Sequence, residues 1–419
     1  MTTAPDAAAI PLGAEDRAIL ALESDTVAGH TCKVIGMGPG APGVEALRKA
    51  VADRLAAAPE LTRRLGGTAD EPAWVPDEDF DVSEQIVESD EALEPGGLNE
   101  AIARIFERRL DRSRPLWRIE VLNLRDGGTA LVWRLHHALA DGMTAMRLAR
   151  TVLWDEEAAP PRPASHARAD EGRRRAHLGR VLEREFAGSR TRSPFDGRIA
   201  RRRRIALARE PLGPLHDAAK RLDGATVNDA VLTVMGGALR RWLEHHHGAL
   251  GKVRVRVPVS MHHTGDHAAN RDSFFSLALP LNEPDPVARL RATHAATAKR
   301  KADHDAEELD RVMRGLAGIS PSLERFCERL EASPRRFALS VSNVPGPAGR
   351  LSLGGAPVSW VHSLAEIGEH HALRASVVSV GGQLCFGLCA DPAIVDDLDE
   401  MAAGIGAEAQ SLIEASRGA

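Results

Sequence analysis

In the stretch RLHHALADGM, residues 134–143, the adjacent His136 and His137 are followed, after three small or apolar residues, by Asp141 and Gly142. An imidazole with a pKa of about 6.5 can take a proton from an alcohol at neutral pH. No G-x-S-x-G stretch accompanies the histidines, and the spacing from His137 to Asp141 lacks the third partner of a Ser–His–Asp triad. A lone histidine base suits direct transfer, in which an acceptor hydroxyl is deprotonated as it attacks an activated acyl carbon. Asp141 has two readings. It could orient His137, or it could cap the following helix and pair with an arginine; residue preferences at N-caps favour the second. Loss of such a cap costs about 0.5–2 kcal/mol. Gly142 would allow close backbone approach at the turn.

These residues need a strand to carry them. TALVWRLHH (129–137) alternates as one, with Leu131, Trp133, Leu135 and His137 on one face and Val132, Arg134 and His136 on the other. The two histidines therefore cannot share a job. His137 is expected at the last strand position, where a rigid element meets an open loop. PLWRIEVLNL before it, joined by RDGG, completes a hairpin, and DGMTAMRLARTVLW after it reads as a helix. Upstream, GAEDRAILALES is a short helix, TCKVIGMG a strand, GVEALRKAVADRLAAAPEL a helix ending near Pro59, and LNEAIARIFERRLD a second amphipathic helix.

The chain has 419 residues, more than one core usually serves, so two domains are expected. The composition change at 156–190, rich in Pro, Ala and charge, divides an N-terminal domain (1–155) from a C-terminal one (191–419). The second contains the helix TVNDAVLTVMGGALRRWLEHHH, with Thr226 or Asn228 as its cap, the strands KVRVRVPVS and FFSLALPL, helices through about residue 332, the strand FALSVSNVPGP, the hairpin RASVVSV–GG–QLCFGLCAD and a final helix. Both halves run strand, Gly-Gly turn, strand, Ala-Asp, helix. Aligning Ala140-Asp141 with Ala390-Asp391 sets Phe386 opposite His136 and Gly387 opposite His137. On that reading the shared aspartate belongs to the fold and the histidines to function.

A net charge of −5 does not point to nucleic acid. Cys32, Cys327, Cys385 and Cys389 form no C-x-x-C pair, and Cys385 and Cys389 read as small buried apolar residues. No signal peptide and no run approaching the roughly 20 apolar residues of a membrane span is present, so the expected place is the cytosol, with attachment to a membrane surface left open.

The motif H136-H137-A-L-A-D141-G142 resembles the HHxxxDG motif of CoA-dependent acyltransferases and peptide-synthetase condensation domains. LDRSRPLW (110–117), ATVNDAVLTVMGGALRRWL (225–243), VPVS (257–260), SNVPGP (342–347) and the opening PLGAEDRAILALES resemble, in order, segments of the bacterial wax ester synthase/diacylglycerol acyltransferase family. The resemblance implies an α/β fold of two similar mixed-sheet and helix domains, of the chloramphenicol acetyltransferase-like type, with a tunnel between them. It implies that His137 is the general base. It sets Asn228 at the active site, where its amide could donate to a developing oxyanion; the other reading is that Asn228 caps its helix. It further implies acyl-CoA as co-substrate, diacylglycerol or a long-chain alcohol as acceptor, and contact with a membrane or lipid-body surface. No metal, no other cofactor, no covalent enzyme intermediate and no nucleic acid are called for. Trp117 reads as core packing.

The chain departs from the family in two places. A SY-G turn common in the family is Ser379-Val380-Gly381 here, in a chain without tyrosine, and MHHTGDHAANRDS keeps Asn270 but little else of the usual Gly-Asn region. Both bear on the acceptor more than on the chemistry. His245, His246 and His247 end a helix, where positive charge suits the dipole, and His262, His263 and His267 lie in a loop; neither group has a metal-ligand pattern. RRRR (201–204) reads as a solvated linker, with CoA phosphates or anionic lipid as the alternative contact. Three functions stay open: an O-acyltransferase forming neutral lipid esters, an acyltransferase of the same fold using another hydroxyl or amine, and a non-catalytic protein that binds acyl chains or coats lipid bodies.

Overall fold

A computed structural model describes residues 9–68, 70–155, 193–251, 253–260, 272–303, 305, 309 and 337–418. The linker at 156–190, Cys327, the helices expected over 310–332, His262, His263, His267 and Asn270 lie outside those residues. A small sheet joins β1 (Ile10–Pro11), β3 (Arg63–Gly67) and β4 (Pro72–Pro76). The first large sheet holds β2 (His30–Met37), β5 (Ile86–Glu88), β6 (Trp117–Asn123), β7 (Thr129–His136), β12 (Ser352–Leu353) and β13 (Ala356–Ala365), in the order β12-β13-β2-β7-β6-β5. The second holds β8 (Arg204–Pro211), β9 (Arg254–Ser260), β10 (Asp272–Ala278), β11 (Leu339–Pro345), β14 (Leu373–Val380) and β15 (Gln383–Ala390), in the order β10-β9-β11-β14-β15-β8. The helices are α1 (Ala14–Ala21), α2 (Val44–Ala52), α3 (Val82–Gln85), α4 (Leu98–Phe106), α5 (Gly142–Val152), α6 (Leu212–Arg221), α7 (Val227–His247), α8 (Pro286–Ala302) and α9 (Leu398–Ala415).

Strand β7 is buried along its whole length. On one face Leu131, Trp133 and Leu135 share a core with Leu47 and Val51 of α2 and Leu148 of α5; on the other, Ala130 and Val132 share a core with Ile102 and Phe106 of α4. Cover on both faces explains why the strand reads as a nearly continuous apolar run. Helix α2 stops at Ala52, short of the expected Pro59. Two 3₁₀ turns follow, Leu55–Ala57 and Pro59–Thr62, and they turn Leu55 and Leu61 into the core.

The two halves repeat one pairing scheme. In the first sheet β2 is antiparallel to β7, β7 to β6, and β6 is parallel to β5. In the second, β8 is antiparallel to β15, β15 to β14, and β14 is parallel to β11. The β14–β15 turn has Gly381 and Gly382 at φ 58° and 81°, the left-handed pair that a two-residue hairpin needs. The repeat inferred from a few residues thus extends to four strands of each sheet.

The boundary expected at 191 divides the chain but not the sheets. Strands β12 and β13 belong by sequence to the C-terminal half, yet β13 runs antiparallel to β2 in the first sheet, from Val358↔Met37 to Ala365↔Thr31. β13 also lies against the second sheet. His362 Nδ1 donates to the Phe386 carbonyl at 3.0 Å, and a Cβ on Gly387 would overlap the Ser363 carbonyl oxygen. The position opposite His137 in the repeat is thus glycine because another backbone crosses it. Gly387→Ala should lower the unfolding free energy by about 1–3 kcal/mol, the usual cost of overpacking. Urea unfolding checks this, and a change of under about 0.5 kcal/mol, typical of uncrowded surface sites, would contradict the seam.

Candidate active site at the end of the central hairpin

Strand β7 ends at His136, so His137 opens the turn rather than closing the strand, one residue away from the expected place. The ladder still reaches it: the His137 N–H donates to the Gly29 carbonyl at 2.9 Å. The chain then folds back as Leu139 and Ala140 N–H donate to the His136 carbonyl at 2.9 and 3.2 Å. Gly29 has φ 71°, and a Cβ on it would sit 2.7 Å from His136 Nε2, so both backbone conformation and space demand glycine.

The two imidazoles differ in what their nitrogens do. His136 is 1% exposed. Its Nδ1 accepts from the Ala138 N–H at 3.0 Å, so the proton sits on Nε2, which donates to Glu23 Oε1 at 2.6 Å. With its lone pair already used, His136 has no basic site left for a substrate. His137 is half-buried. Burial and the nearby Arg374 charge push its pKa below the ordinary histidine value, against the pull of Asp141. A ring held neutral at pH 7 is what proton abstraction needs.

Asp141 is fully buried and caps α5, accepting from the Thr144 N–H at 2.7 Å. Its charge is felt by Lys33, a fully buried lysine on β2 whose Nζ donates to Ser363 Oγ of β13 at 2.8 Å. Burial lowers the Lys33 pKa to about 8, with Asp141 among the groups opposing the fall. Lys33 was not singled out from the sequence, although a lysine inside the apolar run TCKVIGMG was the visible signal. Gly142 faces β11: a Cβ there would lie 3.0 Å from Val344 Cγ2, so the SNVPGP strand touches the histidine motif.

Asn228 does not cap its helix. Thr226 is the N-cap of α7, in a reciprocal capping box with Asp229. Asp229 is further fixed by His294 at 2.9 Å and Thr297 at 2.5 Å. Asn228 is half-buried at the second helical position; no hydrogen bond ties its amide to another described residue, and none joins it to His137. Trp117 is core, its Nε1 donating to the Leu61 carbonyl at 2.7 Å.

The arginine run is not uniformly solvated. Arg203 is 6% exposed, its Nε on Glu366 at 2.8 Å and its N–H on Glu107 at 2.8 Å, while Arg204 pairs with Asp399 at 2.6 Å. Arg201, Arg202 and Arg204 are exposed, and Arg203 is the buried member of the run. His245 and His246 hydrogen-bond to Glu400 at 2.9 and 2.8 Å, and the ligand atoms of the three lie within 4.8 Å of one another. Among the described residues this is the group with spacing suited to a metal, and its donors are already engaged with each other. A cavity of about 520 Å³ opens between α4, β5 and β6, lined by Leu93, Arg104, Ile105, Arg108, Arg118 and Glu120 among others; His137 does not line it.

Residues 12–190 match the wax ester synthase/diacylglycerol acyltransferase catalytic domain, and residues 268–412 match the C-terminal domain of the same family. A Mycobacterium tuberculosis protein named "Probable diacyglycerol O-acyltransferase tgs2" is 30% identical over 366 residues, 77% of this chain and 80% of the relative. A second relative from that organism is also 30% identical and covers 93% of both chains. The solved wax ester synthase/diacylglycerol acyltransferase from Marinobacter aquaeolei VT8 superposes with a TM-score of 0.71 at 23% identity, over 97% of this chain and 99% of that one. The first condensation domain of the calcium-dependent antibiotic synthetase gives 0.66 at 15% identity, over 98% and 96%. The architecture is therefore the one shared by acyltransferases and condensation domains. Within it, this chain belongs to the wax ester synthase/diacylglycerol acyltransferase family.

Two predictions follow from the buried charges. Burial lowers the His30 pKa well below its ordinary value and brings His362 and His371 to about 3. Their folded pKa values lie below the unfolded one, so the unfolded chain binds more protons and stability falls as pH drops below about 6.5, by about 4 kcal/mol per pH unit for three rings. Urea midpoints at about pH 7 and 5 test this, and equal midpoints would contradict it. Asp141→Ala should cost more than the ~0.5–2 kcal/mol of a simple cap, because Lys33 also loses a nearby opposite charge. In a Lys33→Met background the cost should return to about 0.5–2 kcal/mol; equal costs in both backgrounds would exclude the coupling.

Proposed function

We propose that this chain is an acyl-CoA-dependent O-acyltransferase that forms neutral lipid esters, triacylglycerol or wax esters, with His137 as general base. The observation that carries the base assignment is that half-buried His137, at the turn, is held below the ordinary histidine pKa by burial and Arg374. His136 has both ring nitrogens engaged by Glu23 and Ala138. In the reaction, His137 takes the acceptor hydroxyl proton as that oxygen attacks the thioester carbon. The tetrahedral oxyanion then collapses, the carbon–sulfur bond breaks, and the imidazolium returns the proton to the CoA sulfur. Asn228 is the candidate donor to the oxyanion, since Thr226 does the capping and the Asn228 amide has no other bond among the described residues. Asp141 and Gly142 hold the turn rather than touch substrate.

A second acceptor class remains part of the proposal. Val380, buried at 6%, stands where the family commonly has tyrosine, which leaves room for a hydroxyl or amine other than diacylglycerol or a long-chain alcohol. No described helix is long and apolar enough to cross a membrane. Contact with a lipid surface, and an apolar tunnel from it to His137, are proposed on physical grounds: each methylene left in water costs about 0.8 kcal/mol. Among the described residues the large exposed apolar side chains are Ile10 and Leu22.

Purified protein with labelled palmitoyl-CoA and a panel of diacylglycerol, long-chain alcohols and amines tests the reading. Transfer to a neutral-lipid acceptor should fall at least about 10²-fold in His137→Ala with the thermal melt retained, since general-base catalysis is worth that much. His136→Ala should act mainly through stability. A folded His137→Ala enzyme with near-normal turnover would overturn the base assignment.

A further inference from the structure

Three separated stretches of the sequence meet at His136. Glu23, from the opening segment, accepts from His136 Nε2 at 2.6 Å. Arg112, from LDRSRPLW, reaches Glu23 Oε2 at 2.7 Å. Leu116, from the same stretch, accepts the His136 N–H at 2.9 Å. Gly29 makes the space, since a Cβ there would fall 2.9 Å from Glu23 Cγ and 2.7 Å from His136 Nε2.

The other face of the ring explains why this matters. Nδ1 must stay unprotonated to accept the Ala138 N–H, and that bond spans the residue that carries His137. A proton on Nδ1, in the alternative tautomer or in imidazolium, would point at the Ala138 N–H and open the turn. A carboxylate at Nε2 selects the tautomer that keeps it closed. Burial opposes the Glu23 charge, but the hydrogen bond and electrostatic pull of His136, followed by those of Arg112, outweigh it and hold the carboxyl below the usual range.

We propose that Glu23, paired with Arg112, is a positioning residue for acyl transfer: it locks His136 in the Nε2–H tautomer and so locks the turn that presents His137. The inference rests on the reading of His137 as base. Glu23 touches no substrate; its effect passes through His136.

Glu23→Ala and Glu23→Gln, assayed with palmitoyl-CoA and the preferred acceptor, test it together with nitrogen-15 NMR of histidine-labelled protein. Glu23→Ala should lower kcat by about 10–100-fold while KM for palmitoyl-CoA stays within about threefold, the signature of misplaced chemistry rather than lost binding. Glu23→Gln should recover most of the rate, because its amide oxygen still accepts the Nε2 proton. The His136 ring should appear as the Nε2–H tautomer in the native enzyme and as a mixture in Glu23→Ala. If Glu23→Ala does not fold, Glu23→Met, which fills the space without an acceptor, takes its place. Native kcat in the folded variant, a change in KM alone, or an unchanged His136 tautomer would each overturn the positioning role. An active His137→Ala would instead overturn the base reading beneath it.

Discussion

The pairing of β2 with β7 is the interaction on which the site depends. Its last step is the bond from the His137 N–H to the Gly29 carbonyl, next to the His30↔His136 pair. β2 lies between β7 and β13, so one strand takes bonds from both halves of the chain. It also carries Lys33, whose charge Asp141 favours, and, through Gly29, makes room for Glu23 against His136. A catalytic group on a loop is placed no better than its anchor. Here the anchor is a strand with no exposed residue, His30–Met37.

The repeat separates what the fold requires from what function added. Asp141 and Asp391 are both fully buried, and both take backbone N–H groups: Asp141 from Thr144, and Asp391 from Ala393 at 2.8 Å and Ala200 at 2.5 Å. That shared duty supports a structural origin for the aspartate. The copies diverge one turn earlier. Where the first has His136 and His137, the second has Phe386, whose carbonyl receives His362, and Gly387, over which β13 passes. In the second copy this position serves the seam between the sheets, and in the first it carries the proposed base.

Most elements were legible because their signals are local. The two hairpins, the β7 alternation, the Asp141 cap and the long helices α7 and α9 follow from patterns a few residues wide. The transfer of β13 into the first sheet was not legible, because strand pairing between residues 31–37 and 358–365 leaves no mark within either segment. The charged partners were hidden for the same reason. Glu23 and His136 are 113 residues apart, and Arg203 and Glu366 are 163 apart. Arg203 looked solvated because it stands in a run of arginines, and a run does not reveal which member has a buried carboxylate waiting. Cys385 and Cys389 are buried thiols raised in pKa by burial, as their apolar surroundings implied, and Cys32 is buried likewise.

The base role of His137 is tested most directly by the pH dependence of kcat/KM for acyl transfer, over the range in which the protein stays folded. Burial and Arg374 lower the His137 pKa, so the free enzyme should lose activity on the acid side only below about 6.5 and be flat through neutrality. An acid limb centred above about 7, or one that persists unchanged in a residually active His137→Ala enzyme, would mean that another group takes the proton.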